Sequence, residues 1–330
     1  MIMSKLFSDK LISNILRFKR DQNGSVLVIM AVALVVILGM AALVVDVGAL
    51  VLEKGRLQNA CDAAALAAVR VAYDDSQTNA RNEAEKYLDE NDADYEVDNV
   101  IFNSDKTVTV SASSTVNYAF AKVLGIYSGT VDANATAVYG PVKSITGKKG
   151  VIGGVDPIGI SEEVVRDEDF EFGKEYTLIT ADNNDIIGPG NFGFLALGGT
   201  GNDVLAKNIE EGCKTEVKSK VDTEPGAAGN KIETALKERK CPHTPSCTPT
   251  SFKKDCPSLL TVVILEEGIE YNGRDKAKIV GFATFLLSYI EKNAKSVKGY
   301  FIERTVPKNS EFVIDPGGED FGLVASRLIK

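Results

Sequence analysis

Four cysteines in the distal half of this 330-residue chain, Cys213, Cys241, Cys247 and Cys256, have the widest chemical reach of any side chains in it. An even number of thiols outside the cytoplasm fits two disulfides, whose connectivity spacing cannot decide. Free thiols are the second reading. A metal site from Cys241-Pro242-His243, Cys247 and Cys256 is the third; the lack of a C-x-x-C pair and the irregular spacing count against it. No metal and no cofactor is expected. His243 is the only histidine and Trp is absent. With no G-x-S-x-G elbow and no second imidazole, a nucleophilic triad cannot be assembled, and no enzymatic activity is expected.

Two further patterns have a chemical and a plain reading. Asp92, Asp94, Glu96 and Asp98 alternate and could gather calcium, yet Val97 stands where an EF-hand loop needs Gly and Asn103 where it needs Glu. A solvated strand edge is the expectation. The run Gly198-Gly199-Thr200-Gly201-Asn202 could cradle an anion at a helix N-terminus, but no Gly-Lys-Ser/Thr phrase accompanies it. It reads as a turn leading into a helix.

Asp46 is placed by what precedes it. Val26 to Val45 is a run of 20 residues without a charge, which at 1.5 Å per residue covers about 30 Å, the hydrocarbon thickness of a bilayer. Residues 1–20 carry Lys5, Lys10, Arg17, Lys19 and Arg20 against Asp9, the bias that holds a tail in the cytoplasm. A single-pass anchor is expected, with the N-terminus cytoplasmic and the bulk of the chain extracytoplasmic. The run exceeds the h-region of a secretory signal and no small-x-small cleavage site follows, so the anchor reads as retained. Asp46 then lies at the outer interface, where its expected contact is a basic partner or a polar helix end, against the alternative of a solvated carboxylate. Net charge is −9 overall, all of it and more on the distal side. Nucleic acid is excluded as a partner.

The elements follow from periodicity, and their sum is an α+β chain. Residues 1–24 form a basic tail and 25–50 the transmembrane helix. Residues 51–140 form a helical stalk with a small sheet, 141–154 a linker, and 155–330 a mostly antiparallel α+β domain. Along the stalk Leu50, Leu57, Ala64 and Val71 recur every seven residues, with Cys61 and Ala67 filling the same face. Such a small-residue seam lets a second helix come close, so the segment is a candidate assembly surface; packing on its own domain is the equal alternative. Cys61 reads as a small packing residue. Beyond Asn91 the period changes to two at Val108, Val110, Ala112 and at Val131, Ala133, Ala135, Ala137. Distal strands are expected at Tyr176–Thr180, Leu259–Glu266, Lys278–Ile290, Gly299–Val306 and Gly322–Ile329. One distal helix is expected to be capped by Asn202 or Asp203 and stopped at Gly212, another to open with an Asn230-x-x-Glu233 capping box.

The residues Gly24-Ser25-Val26, Asp46-Val47-Gly48 and Arg56-Leu57-Gln58-Asn59-Ala60-Cys61-Asp62-Ala63-Ala64-Ala65-Leu66-Ala67 closely resemble the N-terminal region of TadG-like proteins, of the TadE/TadG group associated with Flp pilus assembly. Weaker echoes run to Gly140 and through Asn191-Phe192-Gly193-Phe194-Leu195 and Thr223-Glu224-Pro225-Gly226. Cys61, where alanine is usual, departs slightly. The resemblance implies a membrane-anchored structural or assembly component of a Flp-type, tight-adherence pilus or related secretion apparatus. Its implied partners are other membrane-anchored subunits, with a second copy of the chain as a further candidate through the Ala-rich helix. A cleaved pilin-like subunit would carry Glu five residues after Gly24, where Ile29 stands, so the unprocessed role is favoured. The D-x-S-x-T match at Asp74–Thr78, a cation motif in some relatives, lies between helical stretches and is expected to hold no ion. The competing reading is a membrane-tethered surface adhesion protein that binds through its distal domain.

Overall fold

The computed structural model describes residues 23–74, 76–91, 96–147, 154–180, 193–224, 229–266, 276–303, 306 and 310–329. A single helix, α1 (Asn23–Asp74), joins the expected membrane segment to the expected stalk; with no proline in its 52 residues, nothing breaks the hydrogen-bond ladder. Ser76 then accepts the Asn79 amide (3.2 Å) and starts α2 (Gln77–Asn91), whose Ala80, Ala84 and Leu88 are buried along one face. The chain is α+β, with an N-terminal helix long and apolar enough to cross a bilayer.

Its contacts divide into two compact units. The first comprises Met1–Ala64, Glu85–Val100 and Val110–Asn134; the second comprises Ala65–Ala84, Ile101–Thr109 and Ala135–Lys330. In the first, the alternating residues of β2 (Thr107–Asn117) and β3 (Ser128–Gly147) bury Val110, Ala112, Val131 and Ala133. The helix buries Leu57, Ala60, Cys61 and Ala64. Two hydrogen bonds show which surface covers that face: Cys61 Sγ donates to the Ala133 carbonyl (3.6 Å) and Gln58 Nε2 to the Asn134 carbonyl (2.8 Å). Around Gln58 and Cys61 the helix packs on the chain's own strand.

In the second unit β3 does not stop at Gly140. Pro141–Gly147, expected to open a linker, continues the strand and pairs with β11 (Ser310–Ile314), while Thr136–Pro141 pairs with β12 (Val324–Ile329). The correction has a simple cause: Val142 and Ile145 are both buried in the core, and that burial outweighs the local glycine signal. Short β6 (Lys214–Glu216) also pairs with β3. A second sheet has the order β4 (Gly159–Ser161), β8 (Leu259–Leu265), β9 (Lys276–Ile290), β10 (Ser296–Ile302), β5 (Glu175–Thr180), with β7 (Lys220–Asp222) on β9. Among the described strands of this sheet only β4 and β8 run parallel, and the short helix α3 (Glu162–Arg166) follows β4.

Every residue of β8, Leu-Leu-Thr-Val-Val-Ile-Leu, is buried, because both faces of its sheet are covered. On one face lie α4 (Asn202–Glu211) and α5 (Asn230–Glu238), through Leu205, Ile209, Ile232 and Leu236. On the other lie Val142, Ile145, Ile314 and Leu323 of the first sheet's strands and their flanks. The helix ends differ from expectation. Gly201 and Gly229, with no side chain, occupy the N-cap positions, in place of Asn202 or Asp203 and of an Asn230 capping box. Glu233 instead accepts the Asn293 amide (2.6 Å) and pairs with Lys237. Gly212 ends α4 as expected, at φ 76°.

Candidate membrane-edge site and cysteine cluster

Val26 to Val45 stands uncovered along α1, and the next residue, Asp46, is almost fully buried. Its carboxylate accepts three successive amides, from Ala119 (Oδ1, 2.7 Å), Phe120 (Oδ2, 3.1 Å) and Ala121 (Oδ2, 2.6 Å). These open the short 3-10 helix Ala121–Leu124, whose first N–H groups have no internal acceptor and so present a partial positive charge to the carboxylate. The contact of Asp46 is thus a helix end within its own unit, and no basic side chain hydrogen-bonds to it among the described residues. Leu50 follows on the same face, its Cδ2 3.4 Å from where a Cβ on Gly129 would stand. The same hypothetical Cβ would lie 2.1 Å from Tyr118 Oη, so a side chain there would displace the Tyr118 ring.

Asp46 thereby pins a tip. Tyr118 N donates to the Tyr127 carbonyl (3.0 Å), closing the β2–β3 loop, and Gly125, at φ 82°, ends the helix. Between them Phe120, Val123, Leu124, Ile126 and Tyr127 are exposed; Val123 is 90% and Leu124 80% exposed. Five apolar side chains on one loop, fixed to the residue that ends the uncharged run, form an exposed apolar patch. Of the seam residues, Leu57, Cys61 and Ala64 are buried inside the chain, whereas Leu50, Ala67 and Val71 are half-buried.

The four distal cysteines part company. Cys241, Cys247 and Cys256 bring their sulfurs within 4.8 Å of one another, while Cys213 packs elsewhere, beside the core of Val155, Leu195 and Leu197. All five cysteines are free thiols. Two disulfides among the four are therefore incompatible with this geometry: Cys213 has no partner sulfur within reach, and three sulfurs cannot pair off. Burial pushes the Cys213 thiol up to about 12, an inert packing residue. Burial also pushes Cys256 up to about 12. At Cys241 burial acts upward too, but the amides of Cys247 and His243 and the thiols of Cys247 and Cys256 outweigh it and hold this thiol below its ordinary value.

The other expected sites resolve plainly. Glu224 Oε1 accepts the Gly201 amide (3.1 Å), so the N-terminus of α4 is already served by a carboxylate of the chain. Asp92 and Asp94 lie outside the described residues, and Glu96 and Asp98 fall on β1 (Glu96–Phe102). One constellation has no signal in the sequence: Asp156 and Arg239 form a buried ion pair (2.5 Å). Arg239 also donates to the carbonyls of Pro257, Ile209 and Leu259, and Asp156 accepts the Thr261 amide (2.8 Å). Burial raises the Asp156 carboxyl against the pull of the guanidinium and that amide. With its donors satisfied, the pair clamps β8 to the end of α5.

Residues 24–71 match the Tad family of TadE/G-like Flp pilus-assembly proteins. No curated protein and no solved structure matches the chain.

Proposed function

We propose, from the Tad-family match of residues 24–71 and the geometry of the helix that carries it, that this chain is a membrane-anchored structural or assembly component of a Flp-type pilus or related secretion apparatus. The observation that supports this best is continuity: the uncovered apolar run of α1 leads directly into Asp46, which holds an exposed apolar tip against the helix. If Val26–Val45 crosses the hydrocarbon, Asp46 lies at the outer boundary, and Phe120 and Tyr127 rest at the headgroup level where aromatic side chains favour the interface. Lys122 on the same turn reaches the phosphates. The basic tail keeps the N-terminus inside and the acidic bulk outside. Partners are other membrane-anchored subunits, meeting the face of α1 that carries exposed Val47, Val51 and Leu52, since Leu57, Cys61 and Ala64 are already covered.

The native absence of Trp makes the test clean. A Val123→Trp chain reconstituted in vesicles should emit blue-shifted fluorescence that brominated lipids quench. Emission like that of tryptophan in water, or extraction of the unmodified chain from membranes by alkaline carbonate, would remove the anchor reading. Deleting the protein from its own cell should abolish surface pili while the pilin precursor persists; full piliation would remove the assembly reading.

A further inference from the structure

We propose that Cys241, Cys247 and Cys256, with His243 as fourth ligand, bind one thiophilic divalent cation of the zinc class in a closed structural site. Three sulfurs converge within 4.8 Å from positions spread over 16 residues of chain. In a tetrahedral zinc site with bonds of about 2.3 Å, sulfurs stand about 3.8 Å apart, so closing on an ion needs a movement of about 1 Å at most. Three is also the wrong number for disulfides, and the fourth distal cysteine, Cys213, sits in another core.

The surroundings suit a metal thiolate. Cys247 N donates to Cys241 Sγ (3.3 Å), an N–H···S bond that fixes the sulfur and would offset part of its charge when it is ionised. The loop is held by the reciprocal amide bonds of Thr248 and Ser251, and Cys256 by Cys256 N to the Lys253 carbonyl (2.9 Å) and Leu259 N to its own carbonyl (3.1 Å). Leu259, Leu286 and Ile302 floor the cluster, shielding one side from water. His243, two residues from Cys241, has a buried Nε2 without a hydrogen-bond partner; its nitrogens lie outside the 4.8 Å group of sulfurs, so the ring must turn in to complete the set. On binding, each thiol becomes a thiolate and releases its proton, and no electron is exchanged.

The test uses the full chain in detergent, reduced, freed of reductant under argon, and offered zinc(II) or cobalt(II) alone. One equivalent should be retained through dialysis, three of the five cysteines should become protected from alkylation, and cobalt should show thiolate charge transfer with the strong visible bands of a tetrahedral site. Cys241→Ser should lose the ion and Cys213→Ser should keep it. His243→Ala should weaken zinc binding by at least about 10-fold, the scale even of outer-shell losses. Thiol protection in the unsubstituted chain stands independently of any variant's folding. Equal zinc uptake by the unsubstituted chain and Cys241→Ser would overturn the site, as would a disulfide among the three in natively alkylated protein. Undiminished affinity in His243→Ala would overturn the four-ligand set.

Discussion

Asp46 is the residue on which a membrane segment and a folded loop depend together. Replacing it by Ala leaves three adjacent amides without their acceptor, so the tip at residues 119–127 should lose protection from hydrogen exchange while the strands below keep theirs. Unchanged protection at Ala119–Ala121 would show that the pin is dispensable. Arg239 has a different role. Removing one member of a buried pair strands the other charge, and Asp156→Ala or Arg239→Ala should each cost about 3–5 kcal/mol in denaturant unfolding, with the double variant costing less than the sum. Glu233 gives a pH test: the hydrogen bond from Lys237, then the Asn293 amide, hold its carboxyl below the ordinary 4.5. A lowered carboxyl stabilises the fold above its unfolded value and loses that contribution as pH falls through the folded value. Glu233→Gln should therefore flatten the decline in stability below about pH 4.5 while leaving its shape near neutrality unaltered. Which helix end meets Asp46 was not legible in the sequence, nor was the Arg239 pair, because the partners lie 73 to 75 and 83 residues away and carry no local pattern.

Elements were legible in proportion to their length. The uncharged run, the two alternating strands at 107–117 and 128–137, and β5, β8, β9 and β12 showed as periodic or apolar stretches; β4, β6 and β7, at three residues each, are too short to display a period. Helix ends misled because glycine and distant carboxylates, rather than the nearest Asn or Asp, serve the first amides. The alanine seam was seen, while which surface it meets was not, since a helix partner and a strand partner ask for the same small residues. That surface decides the outcome of a substitution. Ala64→Leu forces a larger side chain into a fully buried position and should destabilise the chain by about 1–3 kcal/mol, measured by thermal unfolding in detergent. Retained stability together with lost crosslinking to another subunit would instead assign the seam to an external helix.

At the scale of the whole molecule, composition gave the class, but not the path of the chain. The first part of the expected linker at residues 141–154 is strand, because β3 runs on to Gly147, taking β12 as neighbour along Thr136–Pro141 and β11 along its end. The strand made near the middle of the chain therefore finds two of its neighbours only in residues 310–329. Distance along the chain here becomes delay in time. During synthesis, the edge of β3 from Thr136 to Gly147 emerges long before Ser310 does, and it stays an open template that only a late arrival, or a stranger, can close. A chain shortened to end at Glu303 should accordingly be captured by chaperone holdases or aggregate, though its long helix and second sheet are intact. A soluble, protease-resistant truncation would show that the first sheet completes itself without its latest strands.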